Sequence, residues 1–261
     1  MSFVDSGPAR IYYETFSDGE RPWIVFAHGA GGNAASWWQQ VPYFYDEYNA
    51  LTFDHRTFGR SACPLEEFDP GEFAGDLAAV LDAEGIERTA LVCQSMGGRT
   101  GLQFSLQHPD RVTALVMSHT IGAITTDEIV EARRIASESR PAAEAPFGSW
   151  AVAPDFHLKD RAKSHLYNRL QAFNLNADRS RLSSAQPSPV TPADLKGFSV
   201  PTLFVTADKD VLIPPNIVNM AARLVEGAKV VNLGDAGHSS YFEAPDAFNE
   251  VVHGFLREHL A

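Results

Sequence analysis

The chain has 261 residues, 44% of them hydrophobic and 21% charged. That is enough to bury the core of one large α/β domain, and too apolar for a disordered chain or a polar linker. Its 21 Lys and Arg stand against 33 Asp and Glu, a net charge of −12, which is the wrong sign for non-specific attraction to nucleic-acid phosphates or to an anionic membrane surface. Small molecules are the expected ligands. Only Cys63 and Cys93 are present, too few for a disulfide framework, so a reducing cytoplasm is expected. Met1 to Asp5 lacks a basic region and an apolar run, and no later segment is apolar for ~18 residues, so neither export nor membrane spanning is expected.

In chain order, short runs rich in β-branched and aromatic residues occur at 10–16, 23–27, 50–54, 89–93, 112–118, 202–207 and 229–233. Most are unbroken apolar runs, the pattern of strands buried on both faces of a parallel sheet. Between them Phe73, Leu77, Val80 and Leu81 recur at helical spacing, as do Phe248, Val251, Val252, Phe255 and Leu256 near the end. The rhythm breaks over 124–191. There, helix-like segments at 127–139 and 159–174 are separated by loops rich in Pro, Ser and Ala, which predicts a helical insertion.

The sharpest local signal is Cys93-Gln94-Ser95-Met96-Gly97-Gly98, where a buried strand ends and a helix at 99–107 begins. A serine at such a turn is either a nucleophile exposed above the sheet or the N-cap of the helix. The nucleophile reading asks for small residues two places to either side, which Gly97 satisfies and Cys93 approximates. The Met96 N–H, at the helix N-terminus, would then help to hold an oxyanion. His28-Gly29-Ala30-Gly31-Gly32 follows the strand at 23–27, and a glycine-rich loop there can turn the Ala30 N–H toward the same point. It matches neither GxxxxGK[ST] nor GxGxxG, so nucleotide binding is not favoured. Asp208 and Asp210, at the end of the strand at 202–207, and His238 complete the order Ser, Asp, His of one particular triad arrangement. Period-two alternation cannot separate Asp208 from Asp210.

With these residues the chain resembles the α/β-hydrolase family over nearly its whole length. Asp54-His55-Arg56-Thr57-Phe58-Gly59-Arg60-Ser61 is similar to the family's D-x-R-G-x-G-x-S turn, and Gly237-His238 followed by Glu243 to Asn249 is similar to its C-terminal pattern. The resemblance implies an α/β fold with a mostly parallel eight-stranded sheet, helices on both faces and a small helical cap after the sixth strand. The domains would be a core of 1–123 and 192–261 with a cap of 124–191. It also favours Asp210 as the acid, because in the family the acid commonly precedes a proline by four positions, as Asp210 precedes Pro214; Asp208 is then a loop-capping residue. Cys93, Thr57 and Ala207 replace glycines usual in the family.

The expected function is a serine hydrolase acting on a small carboxylic ester or lactone through an acyl-enzyme. Ser95, His238 and Asp210 form its triad, and the Ala30 and Met96 N–H groups form its oxyanion hole. No metal or other cofactor is expected. Alternatives are a carbon–carbon bond hydrolase, although Ser239 stands where those carry Trp, a cofactor-free perhydrolase, or a ligand-binding or signalling member with slow turnover. Trp37, Trp38, Phe147 and Trp150 are candidate pocket residues, with packing as their other reading. Phe156 and His157 share that ambiguity. His28 and His55 read as turn residues, Arg56 and Arg60 as turn-bracing donors, Cys93 as inert core, and Arg99 remains open.

Overall fold

The computed structural model describes residues 2–142, 147–177, 182 and 189–260. The strands are β1 (Ser2–Ser6), β2 (Ala9–Phe16), β3 (Trp23–Ala27), β4 (Asn49–Phe53), β5 (Thr89–Gln94), β6 (Val112–Ser118), β7 (Thr202–Thr206) and β8 (Lys229–Asn232). They form one eight-stranded sheet in the order β1-β2-β4-β3-β5-β6-β7-β8, antiparallel at β1/β2 and β2/β4 and parallel elsewhere. The expected strands agree with these to within a residue or so at each end. The exception is β1, a half-exposed edge strand whose alternating Ser, Phe, Val and Asp carry no apolar run.

Alternate residues of the central strands feed two cores. Val25, Leu91, Leu115 and Phe204 pack on one face, and Ile24, Ala90, Ala114 and Leu203 on the other. Both faces are apolar, which is why these strands read as continuous hydrophobic runs. β8 departs from that pattern: it lies at the sheet edge and is largely exposed.

The helices are α1 (Gln40–Phe44), α2 (Phe73–Ala83), α3 (Gly97–Gln107), α4 (Asp127–Glu138), α5 (Phe156–Lys159), α6 (Arg161–Ala172), α7 (Pro215–Ala222), α8 (Ser240–Glu243) and α9 (Pro245–His259). The helix expected over 159–174 is interrupted at Asp160, whose carboxylate accepts from the Lys163 N–H at 2.9 Å and so caps α6. Helices α4 to α6 lie between β6 and β7 in the chain. Ile124 pairs with Val190 in an isolated parallel bridge. Residues 143–146, 178–181 and 183–188 of the expected insertion lie outside the described residues. No helix among the described residues is long and apolar enough to cross a membrane.

The turn after β4 is braced from inside. Asp54 Oδ1 accepts from the Ala34 N–H at 2.6 Å and Oδ2 from the Arg60 N–H at 2.7 Å. Arg56 reaches into the core and grips Asp76 of α2 with Nε at 2.8 Å and Nη2 at 2.7 Å, both side chains being buried. Thr57, where a glycine is usual, has φ 71°, a left-handed backbone that a β-branched residue adopts only with strain. Ala207, by contrast, has no positive φ, so nothing there requires glycine.

Removing Arg56 would strand the Asp76 carboxylate in the core. Arg56→Ala is therefore expected to lower the unfolding free energy by about 3–5 kcal/mol, measured by urea denaturation. A change below about 1 kcal/mol would place the pair among the weak surface bridges instead.

Candidate active site

Ser95 sits at the strand-to-helix turn between β5 and α3 with φ 52°. The Ser95 N–H donates to the Ser118 carbonyl at 2.9 Å, and its own carbonyl accepts from the Gly98 N–H at 3.0 Å. A Cβ on Gly97 would lie 2.2 Å from the Ala27 carbonyl oxygen, so only glycine lets α3 leave this close to β3. On the other side Cys93 is accommodated by Gly101, where a Cβ would meet the Cys93 sulfur at 2.4 Å. The thiol is fully buried, and burial pushes its pKa above the usual thiol range. Ser95 is not a helix cap: α3 has no side-chain cap bond, and the Ser95 Oγ–H is directed at His238 Nε2, 2.8 Å away.

His238 lies on the loop after β8, held by Gln94 Nε2, which donates to the His238 carbonyl at 2.9 Å. Its Nδ1 is 3.0 Å from Asp210 Oδ1 and 2.9 Å from Oδ2. Asp210 follows β7 and is buried, and Oδ1 also accepts from the Leu212 and Ile213 N–H groups at 2.9 Å each. Burial alone would raise the carboxyl pKa, but the two imidazoles beside it hold it well below the usual range. Asp208 is exposed and accepts instead from Asn232 Nδ2 at 2.7 Å.

The second imidazole belongs to His119, at the end of β6, which no sequence signal singled out. Its Nδ1 lies 2.9 Å from Asp210 Oδ2, and its Nε2 accepts from the Ser240 hydroxyl at 2.7 Å. His119 is fully buried and has φ 53°. Burial lowers its pKa, against the opposing pull of Asp210, so the ring is neutral at pH 7. Donor atoms of His119, Asp210 and His238 lie within 4.8 Å of one another. They suit a metal poorly, because the Asp210 oxygens are already directed at four N–H donors.

Behind the loop after β3, His28 and His55 are buried partners rather than plain turn residues. His28 Nδ1–H donates to the Gly29 carbonyl at 2.8 Å, and Nε2 accepts from the His55 N–H at 3.0 Å. His55 Nε2 meets the Thr100 hydroxyl at 2.8 Å. The loop thus holds Ala30 beside Ser95, where both line the same cavities. Neither the Ala30 nor the Met96 N–H donates to a protein acceptor among the described residues.

Two cavities meet at Ser95 and His238. The larger, about 430 Å³, is lined by Arg99, Arg133, Arg140 and Met96 among others. The smaller, about 210 Å³, includes Trp150. Of the aromatic candidates only Trp150 reaches these cavities. Trp37 is fully buried against Phe26 and Tyr241, Trp38 lies edge-on to Phe242, and Phe147 lies edge-on to His165. Phe156 is core, edge-on to Phe242. Glu243 joins the insertion to the histidine loop, accepting from Ala153 at 2.9 Å, Gly237 at 3.2 Å and Ser239 at 3.3 Å; burial pushes its pKa up to about 7.

The fold and this grouping of side chains define a hydrolase of the α/β type. The family model described as "Alpha/beta hydrolase family" matches residues 24–251, and the chain belongs to that family. It is 26% identical to a putative carbamate hydrolase RutD of Azorhizobium caulinodans over 99% of each chain. It is also 26% identical to 3-oxoadipate enol-lactonase 2 of Acinetobacter baylyi, over 95% of this chain and 93% of that one. Among solved structures, an N-acyl homoserine lactone degrading enzyme superposes with a TM-score of 0.79 at 25% identity, covering 97% of this chain and 100% of the other.

The buried histidines make the fold sensitive to acid. Burial lowers the His28 pKa to about 4, against about 6.5 for an exposed histidine. The unfolded chain therefore takes up a proton below pH ~6.5 that the folded chain refuses, and stability present above that pH is lost as the pH falls toward the folded value. His28 alone is expected to withdraw about 2 kcal/mol between pH 7 and pH 5. Urea midpoints at the two pH values should converge in His28→Gln; equal pH sensitivity in variant and wild type would contradict this.

Proposed function

We propose that the protein is a serine hydrolase that cleaves a small carboxylic ester or lactone through an acyl-enzyme. The observation that carries this reading is the continuous relay from Ser95 Oγ to His238 Nε2 at 2.8 Å and from His238 Nδ1 to Asp210 at 2.9 Å, opening on a cavity of about 430 Å³. The enol-lactonase and lactone-degrading relatives support the substrate class.

Ser95 Oγ attacks the carbonyl carbon while its proton passes to His238 Nε2. Asp210 fixes the Nδ1–H tautomer and stabilises the imidazolium. The oxyanion is held by the Ala30 and Met96 N–H groups, which donate to no protein acceptor among the described residues. As the C–O bond of the ester breaks, the leaving oxygen takes the proton from Nε2; in a lactone it stays tethered to the acyl group. Water, deprotonated by the neutral His238, then releases the acid and restores Ser95.

A panel of a 4-nitrophenyl ester, a γ-lactone and an alkyl carbamate tests the reading against Ser95→Ala. Ester or lactone turnover is expected to fall by several orders of magnitude in the variant, with the circular dichroism spectrum unchanged. Turnover that survives the substitution would contradict the nucleophile, and turnover of the carbamate alone would move the substrate class.

The two aspartates separate in the same assay. Asp210→Asn keeps the size of the side chain and loses the charge that favours the imidazolium, so kcat should drop by about 10⁴-fold. Asp208→Asn should change the rate far less. A dead Asp208 variant beside an active Asp210 variant would transfer the role.

A further inference from the structure

The larger cavity at Ser95 is basic. Arg99, Arg133 and Arg140 line it, and no Asp or Glu is among its described lining residues. In a chain of net charge −12 that concentration of one sign beside the nucleophile runs against the overall balance. Another arginine of α4 is neutralised. Arg134 of α4 meets Glu131 at 2.7 Å and Glu138 at 2.6 Å, while Arg133, its neighbour in the chain, has no ion pair among the described residues.

One of the three guanidiniums is anchored and another is partly buried. Arg140 Nε donates to the Val211 carbonyl at 3.2 Å, and the group lies over the Trp150 ring at 5.1 Å. Arg99 projects from α3, and its Nη1 is buried without a hydrogen-bond partner among the described residues. Its pKa is lowered by burial and then by the like charge of Arg133, yet an arginine remains a cation at neutral pH. A buried charged donor with nothing to donate to is unfavourable until an anion completes it.

We infer that this cavity receives a carboxylate of the substrate, held by Arg99 and Arg140 with the exposed Arg133 adding charge, while the carbonyl to be cleaved lies at Ser95. The planar guanidinium fork matches a carboxylate in two-point contact. Ile121, Ala123, Leu212 and Ile213 are among the other lining residues, so a short aliphatic chain would separate the carboxylate from the reacting carbonyl. The substrate class narrows to acidic esters or lactones. This inference rests on the serine-hydrolase reading above.

The test compares mono-4-nitrophenyl glutarate with 4-nitrophenyl pentanoate, which share the chain length and the leaving group and differ in the terminal carboxylate. The wild-type ratio of kcat/KM, acid ester over neutral ester, is expected to exceed about tenfold, as a charge-assisted pair supplies. The preference should lie mainly in KM and shrink as NaCl is raised. Arg99→Gln should reduce the ratio by about tenfold, with Arg99→Lys retaining more of it. Arg140→Gln gives the same readout if the first variant does not fold. A ratio near one in the wild type, or a ratio unchanged in both glutamine variants, would overturn the inference. Ester turnover that survives Ser95→Ala would instead contradict the nucleophile, whereas turnover that depends on Ser95 but ignores the carboxylate would contradict the anion subsite alone.

Discussion

A carboxylate buried at the end of a β-sheet is tolerable only if it is surrounded by donors, and the geometry around Asp210 answers that demand. Its two oxygens collect the Leu212 and Ile213 N–H groups of its own turn, His119 from the end of β6 and His238 from the loop after β8. These contacts join three separate strand ends. Ser240, at the start of α8, completes the arrangement through His119, and Ser95 completes it through His238. The orientation of the reactive side chains therefore follows from satisfying one buried charge.

The sheet places those side chains within reach of one another. In parallel strands all the carboxyl ends point the same way, so Ser95, His119, Asp210 and His238 emerge at one edge although up to 143 residues separate them in the chain. Close packing then sets the height of Ser95, because α3 approaches β3 to a distance that Gly97 alone permits. The cavity above this edge combines a triad-like relay with three arginines that have no ion pair among the described residues. Catalytic geometry and anion recognition would thus share the single helix α3, which starts just beyond Ser95 and carries Arg99.

Local patterns were legible in the sequence, and long-range partnerships were not. The turn at Ser95 and the loop at Ala30 each lie in a few consecutive residues and carry their own stereochemical logic, whereas the preference for Asp210 came from the resemblance to the α/β-hydrolase family. Strand alternation could not separate Asp208 from Asp210 because residues two apart point to the same side; in the structure β7 ends at Thr206 and the chain turns, the Asp210 N–H reaching the Ala207 carbonyl at 3.2 Å. His119 was hidden: it ends an apolar strand, and its partners lie 91 and 121 residues away. Trp37 and Trp38 looked alike in sequence, yet one is core and the other half exposed. The pairing of His28 with His55 was concealed for the same reason, since only the parallel register of β3 and β4 brings the two together. Strand β1 escaped because an edge strand needs no apolar run.

The central claim is that the turn between β5 and α3 presents an activated serine, and covalent labelling tests it most directly. A fluorophosphonate reacts by attack of an activated serine oxygen on phosphorus with loss of fluoride, and the adduct can be located by intact-mass and peptide mass spectrometry. One adduct per chain is expected, on the peptide that carries Ser95, and none when His238 is replaced by alanine, because the oxygen then loses its base. An adduct on another residue, or equal labelling without His238, would contradict the account.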